Sequence, residues 1–250
     1  MILNTAKYVL LGSCFSQNMA LKMEAEGIAC TCNTLGTLYN PESIMLTIGQ
    51  ALEGDAEHLP LFRDMGLQEW RCWWANTQFR SEDKETCRAI VDQKFKELGR
   101  AIRDADVCFL TLGTNVCYRL KSNGITVTNC QRQPDRLFDE ARLTVDETVQ
   151  LLGECVEMIS AHNPSCRTVF TVSPYRYKKY TLHGSQLSKA VLLLAIDQVC
   201  RDNAGKALYF PSYEIMMDEL RDYAYYAQDG LHPSEQATDI IWKRLCEFPL

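Results

Sequence analysis

Three times along this chain a charged stretch with apolar residues at helical spacing runs into a short, almost unbroken apolar one. Residues 83–103 carry Ile90, Phe95, Leu98 and Ile102 at such spacing and lead into 107–112 (VCFLTL). Residues 144–162 precede 168–172 in the same way, and 186–201 precede 207–210. A strand that is apolar at nearly every position has to be covered on both faces, a condition met chiefly in parallel sheets. The amino-terminal part obeys the same rule. Residues 7–12 run into Gly12-Ser13, Phe15, Met19 and Met23 follow at helical spacing, and Gly27 stops the helix before a second apolar run at 28–32. A turn-rich loop at 33–41 and a helical pattern at 43–52 continue the repeat. These alternations predict an α/β, doubly wound fold with a mainly parallel sheet between helical layers.

Two stretches fall outside the alternation: 58–80, rich in aromatics (Trp70, Trp73, Trp74, Phe79), and 119–142. Both are expected to be insertions or hairpins on a single domain spanning 1–250, because no linker, repeat or low-complexity tract divides the chain. The tryptophans could stack on a sugar ring, although packing an insertion is the simpler use for them.

Composition removes several function classes. A net charge of -6 repels polyanions and argues against a nucleic-acid partner. The 12 cysteines fall singly inside apolar runs such as 106–110, as buried hydrophobes of a reduced, cytoplasmic protein do. Cys30 and Cys32 are a close pair, but no second pair at zinc-ligand spacing follows, so no metal is expected. Leu11-Gly12-Ser13-Cys14 has the outline of a lipoprotein attachment box, yet only residues 8–11 before it are unbroken apolar, against about 7 to 15 in a secretory signal. No run approaches the roughly 18 apolar residues of a membrane span. The chain therefore reads as cytoplasmic, with no membrane partner.

In an open parallel sheet ligands sit beyond the carboxyl ends of the strands, so residues just after each strand are the candidates. Ser13 would leave the first strand on a sharp turn at a helix start, where backbone N–H groups favour negative charge; capping that helix would also account for it. Asp229 and His232 lie three apart in a polar, turn-like segment. A carboxylate there could orient the imidazole and leave its Nε2 to take a proton from a hydroxyl, while a solvated turn opening the helix after Pro233 is the plainer reading. Gly36 and Asn115, with the Ser13 N–H, offer three donors for an oxyanion, and each also suits an ordinary turn.

Gly12-Ser13-Cys14-Phe15-Ser16 resembles the signature that names the GSCFA family, with Ser16 where the name has Ala. Residues 33–41 (NTLGTLYNP), 171–176 (TVSPYR), 183–190 (HGSQLSKA) and 209–234 resemble further family segments in family order, so the resemblance covers nearly the whole chain. That family is similar to the SGNH, or GDSL-like, hydrolases. The resemblance implies a flavodoxin-like three-layer sandwich and a serine hydrolase of esterase type. Ser13 would be the nucleophile, His232 the base, Asp229 its orienter, and Ser13, Gly36 and Asn115 the oxyanion donors. The substrate implied is a small-molecule acyl ester of a sugar or other small alcohol, with no cofactor. Two departures stand out: Val116 follows Asn115 where those hydrolases have Asp, and Tyr177 stands where family members often have His. Arg176 and His183, in the segment after the fourth strand, are weaker candidates for touching substrate. An acyltransferase using the same site, a non-catalytic binding module on the same fold, and Cys14 as nucleophile are the competing readings.

Overall fold

The computed structural model describes residues 1–250. In chain order the elements are β1 (Tyr8–Gly12), α1 (Cys14–Ala25), β2 (Cys30–Cys32), α2 (Pro41–Glu53), β3 (Leu61–Asp64), β4 (Glu69–Cys72), β5 (Arg80–Ser81), α3 (Lys84–Asp104), β6 (Val107–Leu112), β7 (Val116–Leu120), β8 (Thr126–Val127), β9 (Phe138–Arg142), α4 (Val145–His162), β10 (Arg167–Val172), α5 (Thr181–Asp202), β11 (Ala207–Tyr209), the short α6 (Ser212–Glu214) and α7 (Glu235–Glu247). β1, β2, β6, β10 and β11 form one sheet in the spatial order β11-β10-β6-β1-β2, and every pairing in it is parallel. Counting only these strands, the order is the flavodoxin-like 2-1-3-4-5. The chain reverses direction across the sheet between β1 and β6, and that switch point is where such a fold opens a crevice.

Alternating residues of each strand feed opposite cores, which is why the strands read as continuous apolar runs. Val9, Leu11, Cys108, Leu110, Phe170 and Val172 pack with the inner faces of α2, α3, α4 and α5. Tyr8, Leu10, Val107, Phe109 and Val169 pack with α1 and α7 on the other side. The three-layer, doubly wound architecture expected from the sequence is the one observed. α7 is further joined to α1 by polar contacts: Trp242 Nε1 donates to Glu26 Oε1 at 2.7 Å, and Lys22 pairs with Asp239 at 2.5 Å.

The two aromatic and polar stretches outside the alternation are antiparallel three-stranded sheets, β3-β4-β5 and β8-β7-β9. They lean on each other. Trp73 stacks on Phe62 with ring centroids 3.8 Å apart and meets Phe138 edge-on at 5.7 Å, over a small separate core that includes Leu120 and Val127. Trp74 Nε1 donates to the Thr126 carbonyl at 2.8 Å. Trp73 and Trp74 are thus packing groups of the insertions.

One boundary differs from the sequence reading in a way that matters. α5 starts at Thr181 and not near 186, because its first turn is largely exposed and carries no apolar period to betray it.

Candidate functional site

β1 ends at Gly12 with φ at 138°, a conformation L side chains rarely adopt, and a Cβ there would overlap the Thr111 carbonyl. This turn throws the chain off the sheet directly into α1. Ser13 is the N-cap of α1 in extended conformation, almost fully buried, and its Oγ accepts the Phe15 N–H at 3.3 Å. The Gly12 N–H is held by Asn33 Oδ1 at 2.9 Å, so the loop after β2 braces the turn that carries Ser13. Both groups are buried. Asn33→Ala should therefore strand the Gly12 donor and lower stability by about 1–3 kcal/mol, read as a fall in the urea midpoint with unchanged slope.

Towards the other end of the chain, Asp229 builds a turn that holds His232. Asp229 Oδ1 accepts the backbone N–H groups of Leu231 (2.8 Å) and His232 (3.0 Å), while Oδ2 meets His232 Nδ1 at 2.6 Å. The His232 N–H, its imidazole and the Leu231 N–H together pull the Asp229 carboxyl down to about 2. An ionised carboxylate only accepts, so the imidazole hydrogen lies on Nδ1 and Nε2 is left as a proton acceptor. The ring packs on Tyr175, centroid to centroid 4.4 Å, and the Leu231 carbonyl accepts the Arg176 N–H at 3.1 Å.

Ser13 and His232 line the same cavity, of about 580 Å³. It opens at the β1/β6 switch point, and its walls come from five places: Ser13 and Cys14 at the head of α1, Tyr39 and Asn40 before α2, Tyr175 and Tyr177 to Tyr180 after β10, residues of the second inserted sheet such as Val116 and Tyr118, and His232. Five tyrosines, Tyr39, Tyr118, Tyr175, Tyr177 and Tyr180, face it. Ser13 Oγ and His232 Nε2 are not hydrogen-bonded to each other; the hydroxyl is turned to the Phe15 N–H.

The three expected oxyanion donors do not converge on this cavity. The Ser13 N–H donates to Thr111 O at 3.1 Å, the Gly36 N–H closes its own turn on Asn33 O at 2.8 Å, and the Asn115 side-chain amide donates to Leu143 O at 2.7 Å. Neither Gly36 nor Asn115 lines the cavity. Gly36 is glycine for another reason: with φ at 113°, it abuts the Asn76 side chain.

The weaker candidates are also relocated. Arg176 lies 4.2 Å from the Tyr226 ring centroid in a cation–π contact and lines a neighbouring cavity of about 520 Å³ that shares Tyr177 and Lys178 with the first. His183 is not in a loop but exposed on the first turn of α5, and it lines neither cavity. Cys14 does face the site, but burial pushes its thiol up, away from the thiolate a nucleophile needs. No group of three or more His, Cys, Asp or Glu side chains converges as a metal ion would require, and no helix is long and apolar enough to cross a membrane.

Sequence reasoning missed the α5 residues behind the site. Ser188 Oγ bonds the Asn115 N–H (2.9 Å) and Thr114 Oγ1 (3.0 Å), and Lys189 reaches two strand ends. The signal was present: Ser185, Ser188 and Lys189 share the helix face on which Leu192, Ile196 and Val199 are core residues.

Among solved structures the chain is similar in shape to an acetyl xylan esterase from the rumen bacterium Butyrivibrio proteoclasticus, at 11% identity over 99% of this chain and 64% of that one, with a TM-score of 0.48. It is similar to an acetyl-xylooligosaccharide esterase from Geobacillus at 9% identity, 98% and 94% coverage and a TM-score of 0.49. A carbohydrate esterase of family 3 from Talaromyces cellulolyticus matches at 10% identity, 96% and 94% coverage and a TM-score of 0.43. No curated protein matches the chain. The match that does assign kinship runs over residues 7–245, almost end to end, and by it the chain belongs to the GSCFA family.

Proposed function

We propose that this protein is a serine hydrolase that cleaves small acyl esters, with Ser13 as nucleophile, His232 as general base and acid, and Asp229 as the group that orients and charges His232. One observation carries the reading: a helix-capping serine near one end of the chain and a carboxylate-held imidazole near the other face a single cavity at the sheet's switch point.

In the reaction the Ser13 hydroxyl turns from the Phe15 N–H toward His232 Nε2 and attacks the ester carbonyl as Nε2 takes its proton. The imidazolium formed is stabilised by Asp229 and passes the proton to the leaving alcohol. Water then attacks the acyl-serine by the same route, releasing the acid and restoring Ser13. The oxyanion forms beside the first turn of α1. There the Cys14 N–H, as the first helical residue, has no acceptor within the helix, and the dipole favours negative charge. The alcohol portion lies against the tyrosine-lined walls, whose flat faces and hydroxyl rims suit a sugar or a similar small polyol.

The engaged donors around Gly36 and Asn115 favour a second reading, a binding module in which the fold persists without catalysis. Fluorophosphonate labelling separates the two. The expected result is one adduct, mapped by peptide mass spectrometry to Ser13, with hydrolysis of short acyl esters. No adduct and no hydrolysis would hand the site to the binding-module reading, and acyl transfer to an added sugar in place of free acid would make it an acyltransferase.

A further inference from the structure

Lys189 is the one lysine of the chain buried to this degree, 2% exposed on the core face of α5. Its Nζ donates to the carbonyls of Gly113 and Ser173, both at 2.7 Å, and those residues directly follow β6 and β10. It therefore bridges the carboxyl ends of β6 and its neighbour β10, just behind cavity residues Thr114, Ser173 and Tyr177. No carboxylate pairs with it. The titratable groups that face it are Cys14 from the head of α1, Tyr177 from the segment after β10, and Tyr213 from α6; burial pushes all three upward, so they are neutral near neutral pH.

Holding two carbonyls does not require a charge. A neutral amine still has two hydrogens to donate, and a buried cation is costly. What the ammonium adds over an amine is a positive field behind the wall next to Ser13, in a site where the N–H groups of Ser13 and Gly36 and the Asn115 amide are already engaged.

We infer that Lys189 is a positioning residue for the ester-cleaving site: it ties the ends of β6 and β10 together behind the cavity and, while protonated, biases that end of the site toward the negative charge developing on the substrate. This rests on the hydrolase reading above. Burial brings the amine down to about 7, so the field is present on the acid side of neutrality and fades on the alkaline side.

Lys189→Gln keeps two N–H donors and removes the charge, so it divides the tie from the field; Lys189→Met removes both. In the wild type, kcat/KM for a neutral acetyl ester should fall about tenfold between pH 6.5 and 8.5, as expected from one unit of charge lost near a forming oxyanion. Lys189→Gln should be about tenfold slower than wild type at pH 6.5 and should lack that alkaline fall, with KM nearly unchanged.

A second readout needs no activity. Below pH about 7 the lysine is protonated both folded and unfolded and its burial is a cost. Between about 7 and its ordinary 10.5 the unfolded chain binds a proton that the folded chain has released, so wild-type stability rises with pH relative to Lys189→Gln. The melting-temperature difference between the two should drift in that direction from pH 6 to 9. Rate profiles of identical shape for wild type and Lys189→Gln, or a stability difference that does not move with pH, would overturn the inference. A wild type that neither hydrolyses esters nor labels at Ser13 overturns the hydrolase reading instead, and the stability series shows whether the buried charge exists apart from it.

Discussion

Ser13→Ala and His232→Ala are each expected to lower kcat for ester hydrolysis by about 10⁴-fold or more, and the double variant by no more than the worse of the two. The expectation follows from the joint role proposed for them. Without Nε2 to receive its proton the Ser13 hydroxyl is a poor nucleophile, and without the hydroxyl the imidazole has nothing to deprotonate, so the second loss removes nothing further. Asp229→Asn should fall short of wild type for a separate reason: an amide can present its NH₂ to Nδ1 and hold the wrong tautomer, leaving Nε2 protonated. Folding should be unaffected in the His232 and Asp229 variants, because both side chains are about 43% exposed and neither fills the core. Steady-state kinetics on a short acyl ester, with circular dichroism as the control for folding, reads all four variants. Losses that multiply across Ser13 and His232, or a His232→Ala enzyme of near wild-type rate, would refute the pairing.

Gly12→Ala should be the most damaging small substitution for stability, at about 4 kcal/mol. Two costs combine. The backbone at φ 138° lies outside the range open to alanine, a strain of about 1–3 kcal/mol. The added methyl would also meet the Thr111 carbonyl, which belongs to the neighbouring central strand and has no soft way to retreat. That sum is a large share of the roughly 5–15 kcal/mol by which a domain of this kind is stable. Denaturant unfolding measures it directly. A loss below 1 kcal/mol would mean that the β1 end relaxes and that the turn holding Ser13 is softer than its geometry implies.

The fold was legible because a parallel sheet leaves a one-dimensional trace. β6 and β10 have both faces in a core, so VCFLTL and TVFTV read as strands with no structure at hand. Where burial is partial the trace fades: β2 is only Cys30–Cys32, and the exposed first turn of α5 hid the helical position of His183. The site divides along the same line. The contact between Asp229 and His232 was legible because it is local, closed within the four residues 229–232. For Gly36 and Asn115, residue type does not reveal what engages their donors, because loop closure and the β7–β9 insertion set their partners, Asn33 O and Leu143 O. Lys189 was overlooked as a charge in a helix. Its meaning depends on the strand ends that its face meets.

The clasp between α7 and the end of α1, through Trp242 and Glu26, joins residues 216 apart in the chain. Ser13 heads α1 and His232 lies just ahead of α7, so whatever loosens that helix pair also parts the two sides of the cavity.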